Sequence, residues 1–375
     1  GKQSSDRMVN LADKLQLDID DIAGKAILVC GIRRSGKTTL GVRIAEELGR
    51  FNIPMLIPCL KGDWLSVAST LPNARVWGQE QIEMKHARAV GWAILERGMQ
   101  LIFNIASYDD VNEAFDILAE MIIGLFEWEK AHPEGRRLCA VFKDEAQTVL
   151  PQNLSRSIIT IPAIRDKLLG VYSRVIAFGG SYGLFPVIMT QRIAEVNKVI
   201  IGQPELLFLF KQTLDIDLNR YQEFTDVPVE QVRALKQGHG IFVDYEGRSA
   251  IHKFHKRTSS DAMSSTPRYN PAPSKTKPAP TPETRLLDED DWDEDLYSAL
   301  YDGTKTDPLS MKKAPAVKVA PNLPEKGRMA EDVPLEAAIA VYNSGCTSRY
   351  QLAKAFGLSE NQGRKLKEII ESQAG

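Results

Sequence analysis

Three short stretches of this chain carry residue types at spacings that suit chemistry on a phosphoanhydride. The first is Gly31-x-x-x-x-Gly36-Lys37-Thr38, entered directly from the apolar run Ala26-Ile27-Leu28-Val29-Cys30. Its glycines let successive backbone N–H groups turn inward around phosphate oxygens, and the Lys37 ammonium reaches the β and γ phosphates. On this reading Gly31, Arg33, Arg34, Ser35, Gly36, Lys37, Thr38 and Thr39 bind the nucleotide, ATP, and the Thr38 hydroxyl holds Mg2+. Arg33 and Arg34 are expected to be solvated or to touch phosphate from outside. The apolar spacing that follows, Leu40, Val42, Ile44 and Ala45, predicts a helix whose positive dipole end faces the same anion.

The second stretch is Leu138-Cys139-Ala140-Val141-Phe142-Lys143-Asp144-Glu145, an apolar strand ending in two carboxylates. Asp144 would hold the metal through its water shell, and Glu145 would orient or deprotonate the attacking water. The third is Pro186-Val187-Ile188-Met189-Thr190-Gln191-Arg192, a strand ending in an amide. An amide both donates to a phosphate oxygen and accepts from water, so Gln191 is expected to sense the γ phosphate. Lys37, Glu145, Gln191 and Arg192 are thus the expected catalytic group.

These residues need elements that deliver them to one place. Short apolar runs near 26–30, 53–59, 100–105, 138–143, 185–190 and 206–211 alternate with helical patterns near 37–49, 80–97, 109–130, 162–178 and 193–199. Such alternation predicts an α/β fold with a mainly parallel sheet covered on both faces, whose strand ends all open on one crevice. A hairpin over 240–244 and 250–254, turning at Glu246-Gly247, is expected to close the domain.

With 375 residues the chain has room for two or three domains, and 43% hydrophobic residues can fill a core in at least one. Its four cysteines, Cys30, Cys59, Cys139 and Cys346, show no metal-ligand spacing, and three lie in apolar runs. Reduced, buried thiols in a cytoplasmic protein are the expectation. No apolar run reaches the length of a membrane span. No signal-peptide pattern opens the sequence, and a start at Gly1 rather than Met reads as trimming.

Beyond the domain expected over 1–256, composition turns to Pro, Ser, Thr, Lys and Asp, which predicts a flexible, disordered linker over 257–332. Within it, 286–297 interleaves acidic residues with Leu286, Leu287, Trp292, Leu296 and Tyr297, either a docking peptide for a protein partner or a solvated acidic run. Residues 333–375 read as a small all-α helix-turn-helix domain, with Thr347 and Ser359 at N-cap positions and Gly357 in the turn. If its third helix enters a major groove, Asn361 and Gln362 can read base edges while Arg364, Lys365 and Lys367 meet phosphates. Gly363 departs from the usual branched aliphatic there and weakens that helix.

The order and spacing of the 31–38 loop, Lys61-Gly62-Asp63-Trp64, Asp144-Glu145-Ala146-Gln147 and Thr190-Gln191-Arg192-x-Ala194-Glu195-Val196 with Gly202-Gln203 resemble the HerA/FtsK branch of phosphate-loop ATPases, over about residues 20 to 256. That resemblance implies a RecA-like P-loop NTPase core, a ring of usually six subunits with ATP between them, and movement of double-stranded DNA. It also implies an arginine supplied by a neighbouring subunit, for which Arg174, Arg192 and Arg220 are equal contenders. The chain departs from the family in having Pro58-Cys59-Leu60 where an acidic residue is common, and Lys211 where arginine is frequent.

Two functions follow. One is a ring ATPase that pumps or threads double-stranded DNA, as in conjugation, segregation or viral genome packaging. The other is an ATP-gated switch that assembles on DNA without processive movement. A small-molecule or nucleoside kinase would leave the Gln191-Arg192 segment and the C-terminal helices without a purpose.

Overall fold

The computed structural model describes residues 7–202, 204–260, 338, 365–367, 369 and 370. The chain divides into two compact units, Gly1–Leu300 and Tyr301–Gly375. The first begins with a small antiparallel hairpin, β1 (Met8–Ala12) and β2 (Leu15–Asp18), followed by α1 (Ile19–Ile22). Then come β3 (Ile27–Cys30), α2 (Lys37–Arg50), β4 (Met55–Cys59), β5 (Ala74–Trp77), α3 (Ala87–Glu96), β6 (Gln100–Asn104) and α4 (Val111–Ala131). The second half holds β7 (Cys139–Lys143), α5 (Ala146–Val149), α6 (Pro162–Tyr182), β8 (Leu184–Thr190), α7 (Lys198–Ile201), β9 (Leu206–Leu209), α8 (Asp215–Tyr221), α9 (Val229–Ala234), β10 (His239–Val243) and β11 (Ser249–Lys253).

Nine strands form one sheet in the order β11-β10-β9-β3-β8-β7-β4-β6-β5. From β9 to β5 every pairing is parallel, and β10 and β11 add an antiparallel edge. Alternation along the strands splits the core in two. Val29, Ile57, Phe142, Val187 and Phe208 pack under α2 and the β1–β2 hairpin, whereas Leu28, Leu56, Val141, Ile188 and Leu207 face α3, α4 and α6. Strands buried on both faces are why these runs read as continuously apolar.

Local chemistry sets several boundaries. Asp110 caps α4 by accepting the Asn112 amide at 2.8 Å. Pro162 opens α6, and Gly183, at φ 80°, closes it. The helix expected over 193–199 is instead a short turn at Ile193–Glu195 and then α7, because Asn197 caps a fresh start by accepting the Val199 amide at 3.0 Å. The expected helix over 80–97 begins only at Ala87. Past the boundary expected at 256, residues 257–260 are still tied to the domain by hydrogen bonds, so the linker does not begin at Arg257.

In the second unit Lys365, Leu366, Lys367, Ile369 and Ile370 are helical, with Leu366 and Ile370 buried and Lys365 exposed. The rest of the expected helix-turn-helix and the acidic stretch 286–297 lie outside the described residues.

Helices α3 and α4 cross closely. A Cβ added at Gly91 would lie 2.0 Å from the Met121 carbonyl oxygen, and one added at Gly124 would lie 2.1 Å from that of Arg88. Gly91→Ala is expected to destabilise the domain by about 1–3 kcal/mol, since two backbones must separate. Gly135→Ala, with nothing within 4 Å of the new carbon, should change stability by less than about 0.5 kcal/mol. Urea unfolding of the two variants checks the contrast.

Candidate active site

Parallel pairing brings the chemistry together. Cys30 and Thr190 are register partners on β3 and β8, so Gly31 and Gln191 leave the sheet side by side. Strand β8 also pairs with β7, whose end releases Asp144, and β7 pairs with β4, which leads to Lys61. The chain ends that matter are thus adjacent in the order phosphate loop, amide, acids, lysine.

The 31–38 loop has the backbone its glycines foretold. Gly31 (φ 157°), Arg34 (φ 63°) and Gly36 (φ 121°) all lie at positive φ. At Gly31 a Cβ would sit 2.4 Å from Cβ of Phe210, so glycine is required on steric grounds as well. The loop is pinned from outside: Ile32 N–H donates to the Lys211 carbonyl (2.8 Å) and the Ser35 carbonyl accepts from Gly238 N–H (2.9 Å). Inside it, the Ser35 hydroxyl and the Lys37 ammonium both donate to the Ile32 carbonyl, at 2.7 and 2.9 Å. Lys37 is 6% exposed. Burial lowers the pKa of its ammonium, against the opposing pull of the charges on Asp144 and Glu145. Arg33 and Arg34 are exposed, as expected of groups outside the phosphate cradle, and Thr38 and Thr39 are half-buried.

Asp144 accepts hydrogen bonds from the Trp64 indole (3.2 Å) and from the Glu145 amide (2.7 Å). Burial, followed by the charges of Asp63 and Glu145, pushes its carboxyl up to about 6. Glu145 stands in the left-handed region at φ 51°, ψ 44°, a costly place for a non-glycine residue. Its carboxylate is fully engaged. Lys61 Nζ donates to Oε1 (2.6 Å), Gln147 Nε2 to Oε2 (2.5 Å), and Gln191 Nε2 to both oxygens (2.7 and 2.9 Å). Burial raises the Glu145 pKa, but the donors from Lys61, Gln147 and Gln191 outweigh it and hold the group ionised. Gln147 in turn accepts from the Thr190 hydroxyl (2.7 Å) and the Gln191 amide (3.3 Å), locking the amide strand to the acid strand.

Arg192 departs from expectation. Its guanidinium is paired within its own chain to fully buried Asp217 (2.8 Å) and to Glu195 (3.0 Å), so a role on phosphate would require those pairs to break. Arg174 stacks over the Phe126 ring at 4.5 Å, and Arg220 pairs with Glu223 and lies 5.4 Å from the Phe224 ring. Of the residues expected to meet DNA, Lys365 is exposed and Lys367 half-buried on a helix, while Asn361, Gln362 and Arg364 lie outside the described residues.

Residues that sequence reading gave no role include Gln147, Lys143 and Asp217. Lys143 is 1% exposed, donates to the Asp144 carbonyl at 2.6 Å, and is pushed down to about 8 by burial. A lysine inside an otherwise apolar strand was the available signal. The described cysteines Cys30, Cys59 and Cys139 are free and buried; burial raises the first two to about 12, which makes them unreactive.

The donor set suits Mg2+. The Thr38 hydroxyl and the Asp144 carboxylate are hard oxygen ligands, and a carboxyl whose pKa is raised by burial and like charge is one that a cation would restore to its ionised form. Among the described residues no group of three or more His, Cys, Asp or Glu side chains forms a cage of its own. Phosphate oxygens and water would complete the shell, the usual arrangement for this ion. Among the described residues no helix is long and apolar enough to cross a membrane.

No protein-family model and no curated protein matches the chain. Among solved structures, the genome packaging NTPase B204 from Sulfolobus turreted icosahedral virus 2, in complex with AMPPCP, is similar at 16% identity, covering 61% of this chain and 97% of its own, with a TM-score of 0.43. The bacterial conjugative coupling protein TrwB is similar at 12% identity over 69% of this chain and 92% of its own, with a TM-score of 0.49. The pCW3 conjugation coupling protein TcpA is 15% identical over 68% of this chain and 67% of its own, with a TM-score of 0.41.

The buried acid predicts a pH signature in the nucleotide-free protein. The folded carboxyl of Asp144 titrates near 6 and the unfolded one near 3.8, so the unfolded chain gives up the proton first. Its contribution to stability therefore falls as pH rises from about 4 to about 6 and stays low above that. Asp144→Asn removes this decline, and its stability relative to wild type should improve by at most about 3 kcal/mol between pH 4 and pH 7. Urea unfolding across that range measures it.

Proposed function

We propose that the chain is an ATPase whose hydrolysis drives movement of double-stranded DNA, with further copies of the chain as its partners in a ring. The observation that carries the enzymatic part is the convergence at one sheet edge of a buried Lys37 in a glycine-framed loop, the Asp144–Glu145 pair and the Gln191 amide. The DNA and ring parts rest on the resemblance of motif order, and the exposed Lys365 is consistent with a phosphate contact.

In this mechanism the backbone N–H groups of 33–37 cradle the phosphates, that of Ile32 being held by the Lys211 carbonyl, and Lys37 exchanges the Ile32 carbonyl for β and γ oxygens. Mg2+, held by Thr38 and Asp144, would neutralise charge that develops on those oxygens. Glu145 receives or orients the proton of the attacking water, which requires at least one of its four hydrogen-bonded contacts to let go. Gln191 is the contact best placed to leave, because the same amide that holds Glu145 can donate to a γ-phosphate oxygen.

The saturation of Glu145 favours a gated form of this reading, in which turnover is slow until substrate or DNA frees the carboxylate. Lys61→Met, which removes one donor, is expected to raise DNA-independent turnover several-fold. Glu145→Gln should lower turnover by about 10^2–10^4-fold while leaving affinity for a nonhydrolysable ATP analogue within a few-fold of wild type. ATPase rates with and without long duplex DNA, together with mass determination in the presence of the analogue, test the whole reading. A monomer whose turnover ignores both DNA and Glu145→Gln would sink it.

A further inference from the structure

After β11 the chain turns back across the domain rather than leaving it. Phe254 N–H donates to the Gly238 carbonyl (3.0 Å), and Gly238 is the residue that donates to Ser35 in the phosphate loop. Residues 257–260 then form a strap over α2. Glu46, a nearly buried carboxylate on that helix, accepts the Thr258 amide on both oxygens (3.1 and 2.8 Å) and the Ser259 amide at 2.8 Å. Burial alone would raise the pKa of Glu46, yet these amides hold it below the ordinary value, so the strap is fastened by a buried anion. Arg43 adds a bond to the Thr258 hydroxyl at 3.1 Å.

Arg257 reaches from the strap to the far side of the site. Its guanidinium donates to the Asp63 carbonyl (3.3 Å) and to the Ser66 hydroxyl (2.7 Å), while Nε is steadied by Ser259 (3.1 Å). Ser66 donates onward to the Ser260 carbonyl at 2.6 Å. Between Asp63 and Ser66 stands Trp64, 1% exposed, which packs edge-on against Phe142 of β7 and donates its indole N–H to Asp144. A guanidinium that makes two directional bonds to one turn fixes that turn in orientation as well as position.

We propose that Arg257 is a positioning residue for the metal-side acid: it sets the Asp63–Ser66 turn, the turn sets Trp64, and the Trp64 indole sets the Asp144 carboxylate. Residues 257–260 are by this route part of the hydrolytic site and reach its metal end without touching nucleotide. This rests on the hydrolytic reading above. A support acting through an intermediary of this kind is expected to move metal affinity about 10-fold and leave nucleotide binding alone.

The test uses the full chain loaded with a fluorescent nonhydrolysable ATP analogue and reads equilibrium titration by Mg2+, alongside binding of the analogue in EDTA. Arg257→Ala and Trp64→Phe should each raise the half-saturating Mg2+ concentration about 10-fold, and the double variant should go no further, since both act on one path. Ser66→Ala, which deletes a single hydroxyl, should shift it about two- to three-fold in the same direction. Affinity in EDTA should stay at the wild-type value in all four. An unchanged Mg2+ requirement in Arg257→Ala and Ser66→Ala, or effects of Arg257→Ala and Trp64→Phe that multiply, would overturn the proposal. Should Arg257→Ala fail to unfold cooperatively, Ser66→Ala and Trp64→Phe decide by the same two criteria. Failure of the hydrolytic reading itself would show in the wild type, as no binding of the analogue.

Discussion

Two lysines, Lys37 and Lys143, are held almost entirely out of water at the carboxyl edge of the sheet, and this arrangement is tolerable only because Asp144 and Glu145 stand beside them. Removing an ammonium from water costs several kcal/mol unless a partner charge and hydrogen bonds replace the solvent. The same holds in reverse for the acids, and Asp144, crowded by Asp63 and Glu145, is the member left short of positive charge. The Mg2+ proposed for this site would make good that shortage. Other features of the site, including the left-handed Glu145 and the pinned phosphate loop, keep these groups from drifting apart into water.

The pieces of the candidate site were legible in sequence because each is local. A glycine-framed loop after a strand, an acid pair after a strand and an amide after a strand are all written within eight or so residues, and periodicity places every strand that bears them. Hairpin β10–β11 could be read from its alternation and from Glu246-Gly247. The β1–β2 hairpin and β5 could not: both are short, and β5 carries Arg75 amid half-buried neighbours, so their identity as strands comes from pairing partners far along the chain.

Pairings between distant residues were the part that sequence withheld. Arg192 looked available for phosphate because nothing near it in sequence suggested that Asp217 would be buried against it. Lys61 lies 84 residues from Glu145, and Arg257 lies 194 residues from Asp63. Contacts of that separation depend on topology, and no window of sequence contains both members. Composition misled at 257–260 for the same reason: Arg-Thr-Ser-Ser reads as linker until Glu46 is seen beneath it.

The placement of β8 between β3 and β7 bears on how any change of state could leave this site. Ladder hydrogen bonds join the loop-bearing, amide-bearing and acid-bearing strands at fixed register, so none can slide along its neighbour without breaking a whole row of bonds at once. The sheet therefore behaves as an anvil. Rearrangement is confined to the pieces that project from it, the side chains at the strand ends and the connections at 61–64, 150–153 and 236–238, and a signal must travel outward through those projections instead of through a flexing of the platform.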